Sequence, residues 1–222
     1  MSTRLFNKWI GAAALLGAAT TAQAGFIETD HFGTTPKSTI DVVPANDFLA
    51  SLAGLGIETY TLGASLSTNT AGWVTYYYYG KEAGYRNDFR AGGGSLWHTT
   101  GFAPAQDLFG NPYRIGTAQV GAGVLDFSFC AYAYNEISPL LQGCVSNAQN
   151  DDKALYSYQS IALSIVGESA WLFWDDSGAG PDDNHDDMLI RAVFSATPVP
   201  EPATLTLFGL GLLGIGLVRR RK

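Results

Sequence analysis

The run Val124-Leu-Asp-Phe-Ser-Phe-Cys130 constrains the fold more than any other part of the chain. Leu125, Phe127 and Phe129 share one parity, and Asp126 and Ser128 the other. A strand turns successive side chains to opposite faces, so this pattern predicts an antiparallel strand with one buried face. Comparable short stretches lie at 38–43, 58–62, 73–79, 95–98, 124–132, 155–166, 170–174 and 188–195. Clusters of Gly, Asn and Pro at 91–94, 110–112, 116–123 and 177–181 punctuate them. Aromatic residues (11 Tyr and 12 Phe among them) and β-branched residues favour strands, and 26 Gly break them up. Helical periodicity is nearly absent, which leaves one candidate short helix at 47–55. Irregularly spaced strands without a repeat predict an all-β fold: a single β-sandwich or jelly-roll-like domain over 25–198.

Both flanks of that domain read as addresses. Arg4 and Lys8 precede an apolar run from Trp9 to Ala19, and Ala22-Gln23-Ala24 follows. A cationic start, a short apolar core and an A-x-A site define a secretory signal peptide. Residues 1–24 are therefore expected to be removed by signal peptidase after Ala24, and the mature chain to begin at Gly25. At the other flank, Val199-Pro200-Glu201-Pro202 precedes the apolar stretch 203–218 and the cations Arg219, Arg220, Arg221 and Lys222. The stretch has 16 residues, short for a membrane helix. Its terminal cations predict a cytoplasmic tail and an outward-facing domain. The prolines keep the segment before the helix extended, as a processing protease needs.

The Val-Pro-Glu-Pro, the short Gly/Leu-rich helix and the Arg cluster over 199–222 resemble a PEP-CTERM sorting signal. The resemblance implies recognition by exosortase, a membrane enzyme of Gram-negative bacteria. It also implies transient membrane insertion, cleavage near the Pro-Glu-Pro, and a cell-surface or extracellular destination. Carriers of such signals accompany exopolysaccharide production and biofilm or floc matrix, so exopolysaccharide is an expected partner.

Charge narrows the partners further. Residues 25–198 hold 7 Lys and Arg against 19 Asp and Glu, a balance of −12. A segment this acidic has no electrostatic attraction for nucleic acid. Divalent cations, or polysaccharide with bound cations, fit it better. The two cysteines, Cys130 and Cys144, are an even number in an exported chain and predict a disulfide.

The segment Asp175–Asp187 is the candidate chemical site. Asp175, Asp176, Asp182, Asp183, Asp186 and Asp187 place six carboxylates within 13 residues, between two apolar strands. Such crowding costs repulsion unless solvent or a cation screens it. Asp182-x-Asn184-x-Asp186 copies the first half of a calcium loop. Asp187 then stands where that loop needs Gly, and Val193 where it needs a bidentate Glu, so an EF-hand is excluded. Two readings remain: a β-hairpin Ca²⁺ site formed by Asp176, Asp182, Asn184, Asp186 and Asp187, or a solvated acidic turn. The loop also resembles a segment of exported PEP-CTERM domains, in which an acidic run precedes the last apolar strand. Asp182, Asn184, Asp186 and Asp187 fall on that pattern, which supplies no catalytic role.

Enzymatic signatures are weak. Gly93-Gly94-Ser95-Leu96-Trp97 lacks the final Gly of a nucleophile elbow, and the glycines of 116–123 lead to no Gly-Lys-Ser/Thr. A non-enzymatic surface or matrix protein is the reading these residues favour, with a carbohydrate-binding module as its rival and a secreted hydrolase third. Tyr76, Tyr77, Tyr78 and Tyr79 put two rings on each face of a strand, one pair expected in the core. An exposed second pair would suit stacking on sugar rings.

Overall fold

A computed structural model describes residues 25–30, 37–39, 47–99, 106–133, 140–150, 159–176 and 185–197. The expected cleavage residues Ala22 and Ala24 lie outside the described residues, as do Asp182 and Asn184 of the loop. So do Val199, Pro200, Glu201, Pro202, Arg219, Arg220 and Arg221 of the sorting signal, with its hydrophobic stretch. Among the described residues no helix is long and apolar enough to cross a membrane.

The chain is built from strands. In order they are β1 (Phe26–Asp30), β2 (Lys37–Thr39), β3 (Thr59–Leu62), β4 (Ala64–Thr68), β5 (Gly72–Lys81), β6 (Arg86–Ala91), β7 (Gly94–His98) and β8 (Gln106–Asp107). There follow β9 (Tyr113–Val120), β10 (Gly123–Val124), β11 (Phe127–Ala133), β12 (Leu140–Ser146), β13 (Ser160–Val166), β14 (Ser169–Asp175) and β15 (Met188–Ala196). The expected short helix is present as a 3-10 helix, Asp47–Leu55. The fold is all-β, as expected.

Among the described residues the strands form three antiparallel sheets. The largest runs β2-β3-β13-β14-β15-β5, with β8 and β9 sharing the far edge of β5. A four-stranded sheet runs β12-β11-β6-β7, and a three-stranded one β1-β4-β10. The two smaller sheets cover one face of the large one. Between them lies a core with Val74, Tyr76, Tyr78, Leu172, Trp174 and Ile190 from the large sheet, Phe89, Phe127 and Phe129 from the second, and Leu66 from the third. Trp174 stacks on Phe129 across the sheets, centroids 5.1 Å apart and planes 11° apart. On the opposite face, Leu52 of the 3-10 helix packs with Tyr60, Tyr79, Trp171, Phe173 and Leu189. Strand β14 is therefore buried along its whole length, one parity facing each core.

The alternating run behaves as its parity predicts: Leu125, Phe127 and Phe129 are buried and Asp126 is exposed. It is nevertheless two strands, β10 and β11, with Leu125 and Asp126 between them. The glycine cluster at 116–123 is not a simple break, because β9 runs through Gly116 to Val120. A Cβ on Gly116 would lie 2.9 Å from the Leu96 side chain of β7, so close approach of another strand explains this glycine. Cys130 and Cys144 are bonded, directly opposite one another on β11 and β12. Closing so short a loop contributes about 3 kcal/mol in the chain-entropy account.

The tyrosine run splits two and two, but no exposed pair results. Tyr76 and Tyr78 enter the inter-sheet core, where burial raises both hydroxyl pKa values. Tyr79 is buried in the opposite core and Tyr77 is half-buried against it. Covering by the 3-10 helix side of the sheet removes the expected sugar-stacking pair.

Candidate functional site

Strands β14 and β15 pair from Ser169↔Val193 to Trp174↔Met188, and the acidic residues flank that last pair. The backbone closes the hairpin base: Asp187 N–H donates to Trp174 O at 3.0 Å. Asp175, Asp176, Asp186 and Asp187 all end up buried, each under a tenth exposed. The described half of the acidic loop therefore faces the protein rather than solvent.

Two side chains from other strands, Asn87 and Lys81, meet it. Asn87 of β6 donates from Nδ2 to Asp176 Oδ2 at 2.6 Å, while its Oδ1 accepts from Trp174 Nε1 at 3.3 Å. Asp187 Oδ2 accepts from the Asp176 backbone N–H at 2.7 Å. Lys81, at the end of β5, is buried and donates to Ala83 O at 3.1 Å. Burial lowers the Lys81 pKa, and the charges of Asp176 and Asp187 oppose that shift. Asp187 moves the other way. Burial is the largest cause of a pKa held well above the usual carboxylate range, and the charges of Asp176, Asp175 and Asp186 add to it. The Asp176 N–H bond acts in the opposite direction. Among the described residues, the Lys81 ammonium shares this poorly solvated site with Asp176 and Asp187.

His185 is buried beside Ser160, the register partner of Asp175. Its backbone is left-handed, φ 56°, and its Nε2 lies 2.7 Å from Ser160 Oγ. Its ring packs on Tyr60, centroids 5.4 Å apart. Sequence spacing brings out neither the Ser160–His185 pair nor the contribution of Lys81 and Asn87, because these partners come from other strands.

Of the five expected calcium ligands, Asp176, Asp186 and Asp187 are brought to one hairpin base. Among the described residues, no group of three or more His, Cys, Asp or Glu side chains is arranged to hold a metal ion. The oxygen donors are of the hard type that Ca²⁺ takes, and the negative site suits a cation.

Family comparison identifies one segment. Residues 198–222 match the model of the PEP-CTERM protein-sorting motif. The chain carries a PEP-CTERM sorting signal. No curated protein matches the chain. The signal makes this an exosortase-targeted, exported surface protein. The bonded cysteines accord with the oxidising conditions that export implies.

Proposed function

We propose that the β-domain is a non-catalytic component of the extracellular matrix, delivered by signal peptidase and exosortase and retained by exopolysaccharide. The sorting motif at 198–222 is the observation that carries this reading. The stretch 203–218 would hold the precursor in the membrane until cleavage near Pro200-Glu201-Pro202. The disulfide and the two-sided burial of β14 support a domain built to persist outside the cell. In a host with an exosortase, intact-mass analysis of the surface protein is expected to find Arg219–Lys222 gone. Replacement of Pro200, Glu201 and Pro202 by Ala should leave uncleaved precursor in the membrane. Matrix fractionation tests the retention: the protein should shift to the medium in a strain lacking exopolysaccharide, and unchanged retention would reject the matrix role.

A second reading concerns Ca²⁺ at the acidic hairpin, and the gathering of Asp175, Asp176, Asp186 and Asp187 at the hairpin base favours it. Asp176, Asp182, Asn184, Asp186 and Asp187 are the proposed oxygen donors. The ion would neutralise the carboxylates and order the loop between β14 and β15.

A further inference from the structure

Among the described residues, the 3-10 helix covers one end of the outer face of the large sheet. Past Phe173 and Leu189, which lie in the core beneath the 3-10 helix, strand register sets out a row of side chains. Trp171 of β14 faces Arg191 of β15, Arg191 faces Tyr77 of β5, and Tyr77 faces Arg114 of β9. The next row holds Ser169, Val193, Thr75 and Thr117, and the one after it Ser195, Trp73 and Gln119. Directly opposed residues share a face, with Cβ atoms about 5 Å apart. Trp73 at 46% is the most exposed ring in these rows.

Two arginines dominate this surface. The Arg191 guanidinium lies 5.6 Å from the Trp171 ring centroid. Its Nε and Nη2 donate to Ser169 Oγ at 3.1 and 2.9 Å, and Nη1 donates to Tyr79 OH at 3.2 Å. Arg114 is exposed and donates from Nη2 to Thr117 Oγ1 at 2.7 Å. Neither has a described carboxylate at ion-pair distance, unlike Arg90, which pairs with Asp88 at 3.1 Å. The stretches 73–77, 114–119, 169–171 and 191–195 contain no Asp or Glu. In a segment with a balance of −12, rows that carry two guanidinium groups and no acid of their own, with Glu168 at their border beside Ser169, are a local reversal of sign. Beside Arg191 opens a cleft of about 360 Å³, its lining including Leu55, Tyr79, Phe109, Ser169 and Trp171. That size falls within the range of small-molecule sites.

We infer that this face binds a carboxylate-bearing polysaccharide. Arg191 and Arg114 take carboxylates, and the exposed ring of Trp73 takes the apolar face of a sugar ring. Thr75, Thr117, Ser195 and Gln119 meet hydroxyls. The arginines stand two strand spacings apart, about 10 Å, so the ligand is an oligomer rather than a single sugar. An acidic peptide would instead pair with a strand edge, and this surface presents side chains, not free backbone. The carboxylate of Asp187 is four residues from Arg191 along the chain, about 13 Å. That exceeds the screening length of about 8 Å at physiological ionic strength. The inference rests on the exopolysaccharide reading for the polymer and adds its charged group and binding face.

The full chain is to be measured against polygalacturonate, dextran and polyphosphate at about 0.15 M salt. Polygalacturonate should bind most tightly, and Arg114→Gln/Arg191→Gln should weaken it by about tenfold or more. Arg114→Gln alone, at an exposed position, and Trp73→Ala should each weaken it with the thermal midpoint unchanged. No binding of polygalacturonate, wild-type affinity in the double variant, or equal affinity for dextran or polyphosphate overturns the proposal. Wild-type matrix retention of the double variant in the host overturns the site and leaves the exopolysaccharide reading standing. Unchanged retention in the strain lacking exopolysaccharide overturns both.

Discussion

Asn147 and Asn150 sit as deep in the fold as Asp176 and Asp187, and both pairs come from sequence that reads as loop. The asparagines are matched atom for atom. Asn147 Nδ2 donates to Leu66 O at 2.7 Å and to Leu125 O at 2.9 Å, and its Oδ1 accepts from Leu66 N–H at 2.7 Å. Asn150 Nδ2 donates to Ala64 O and Ile161 O, both at 2.8 Å, and its Oδ1 accepts from Ile161 N–H at 3.1 Å. These amides stand in for missing ladder bonds: Asn150 joins β4 of a small sheet to β13 of the large one. The aspartates meet the same demand with charge: Asp175, Asp176 and Asp186 act on Asp187, and Lys81 answers Asp176 and Asp187. Neutral buried polar groups that are fully paired fix geometry at any pH. Buried charges in excess make stability depend on protons and cations.

The largest expected effect separates the two groups. Asn147→Ala takes the amide partners from Leu125 O and the Leu66 N–H and one of two donors from Leu66 O, a loss of about 4 kcal/mol. Chemical denaturation at several pH values should show that loss to be constant. A loss that varies with pH would end the distinction. Next comes the bridge. Cys130→Ser/Cys144→Ser should cost about 3 kcal/mol while leaving the pH and cation responses intact, since it links β11 to β12 and touches neither group.

How legible each group is in the sequence follows from the range of its interactions. Strands β5, β11, β14 and β15 show in the sequence because aromatic and β-branched residues at period two need no partner to be recognised. Strands β4, β6 and β9 do not, because Ala64-Ser-Leu-Ser-Thr68, Arg86-Asn-Asp-Phe-Arg-Ala91 and the Gly-containing β9 become strands by pairing with neighbours. Asn147 and Asn150 carry no local mark, since their partners lie on β4, β13 and the segment between β10 and β11. The acidic hairpin is visible as a charge cluster, and the pairing of β14 with β15 brings its two ends together. Its inward orientation depends on Lys81 and Asn87, which no spacing within the loop can reveal.

Cation binding should produce a smaller, selective change. At ten times a dissociation constant on the order of 10⁻³ M, Ca²⁺ would stabilise the full chain by about 1.4 kcal/mol through mass action. Thermal unfolding with EGTA and then with excess Ca²⁺ measures it. Asp182→Ala/Asp186→Ala should abolish the shift, and Asn147→Ala should keep it. A midpoint indifferent to Ca²⁺ leaves a buried acidic turn that Lys81 and Asn87 hold.

The smallest effect tests the proton itself. Burial, reinforced by Asp176, raises the Asp187 pKa in the folded state, so the fold favours the neutral acid. Between the unfolded carboxyl value, about 3.9, and the raised folded value, the native state holds more protons than the unfolded one. Stability from this group is therefore fully present below the unfolded value and falls as pH rises through the folded one. Asp187→Asn keeps an oxygen for the Asp176 N–H and cannot ionise. It should match the wild type at acid pH, exceed it near neutrality, and flatten the decline between. The same variant should weaken the Ca²⁺ response, because a cation draws its stabilisation from the ionised form. Parallel pH profiles for Asp187→Asn and the wild type would show that this carboxyl ionises freely, and would remove the contrast with the asparagine pair.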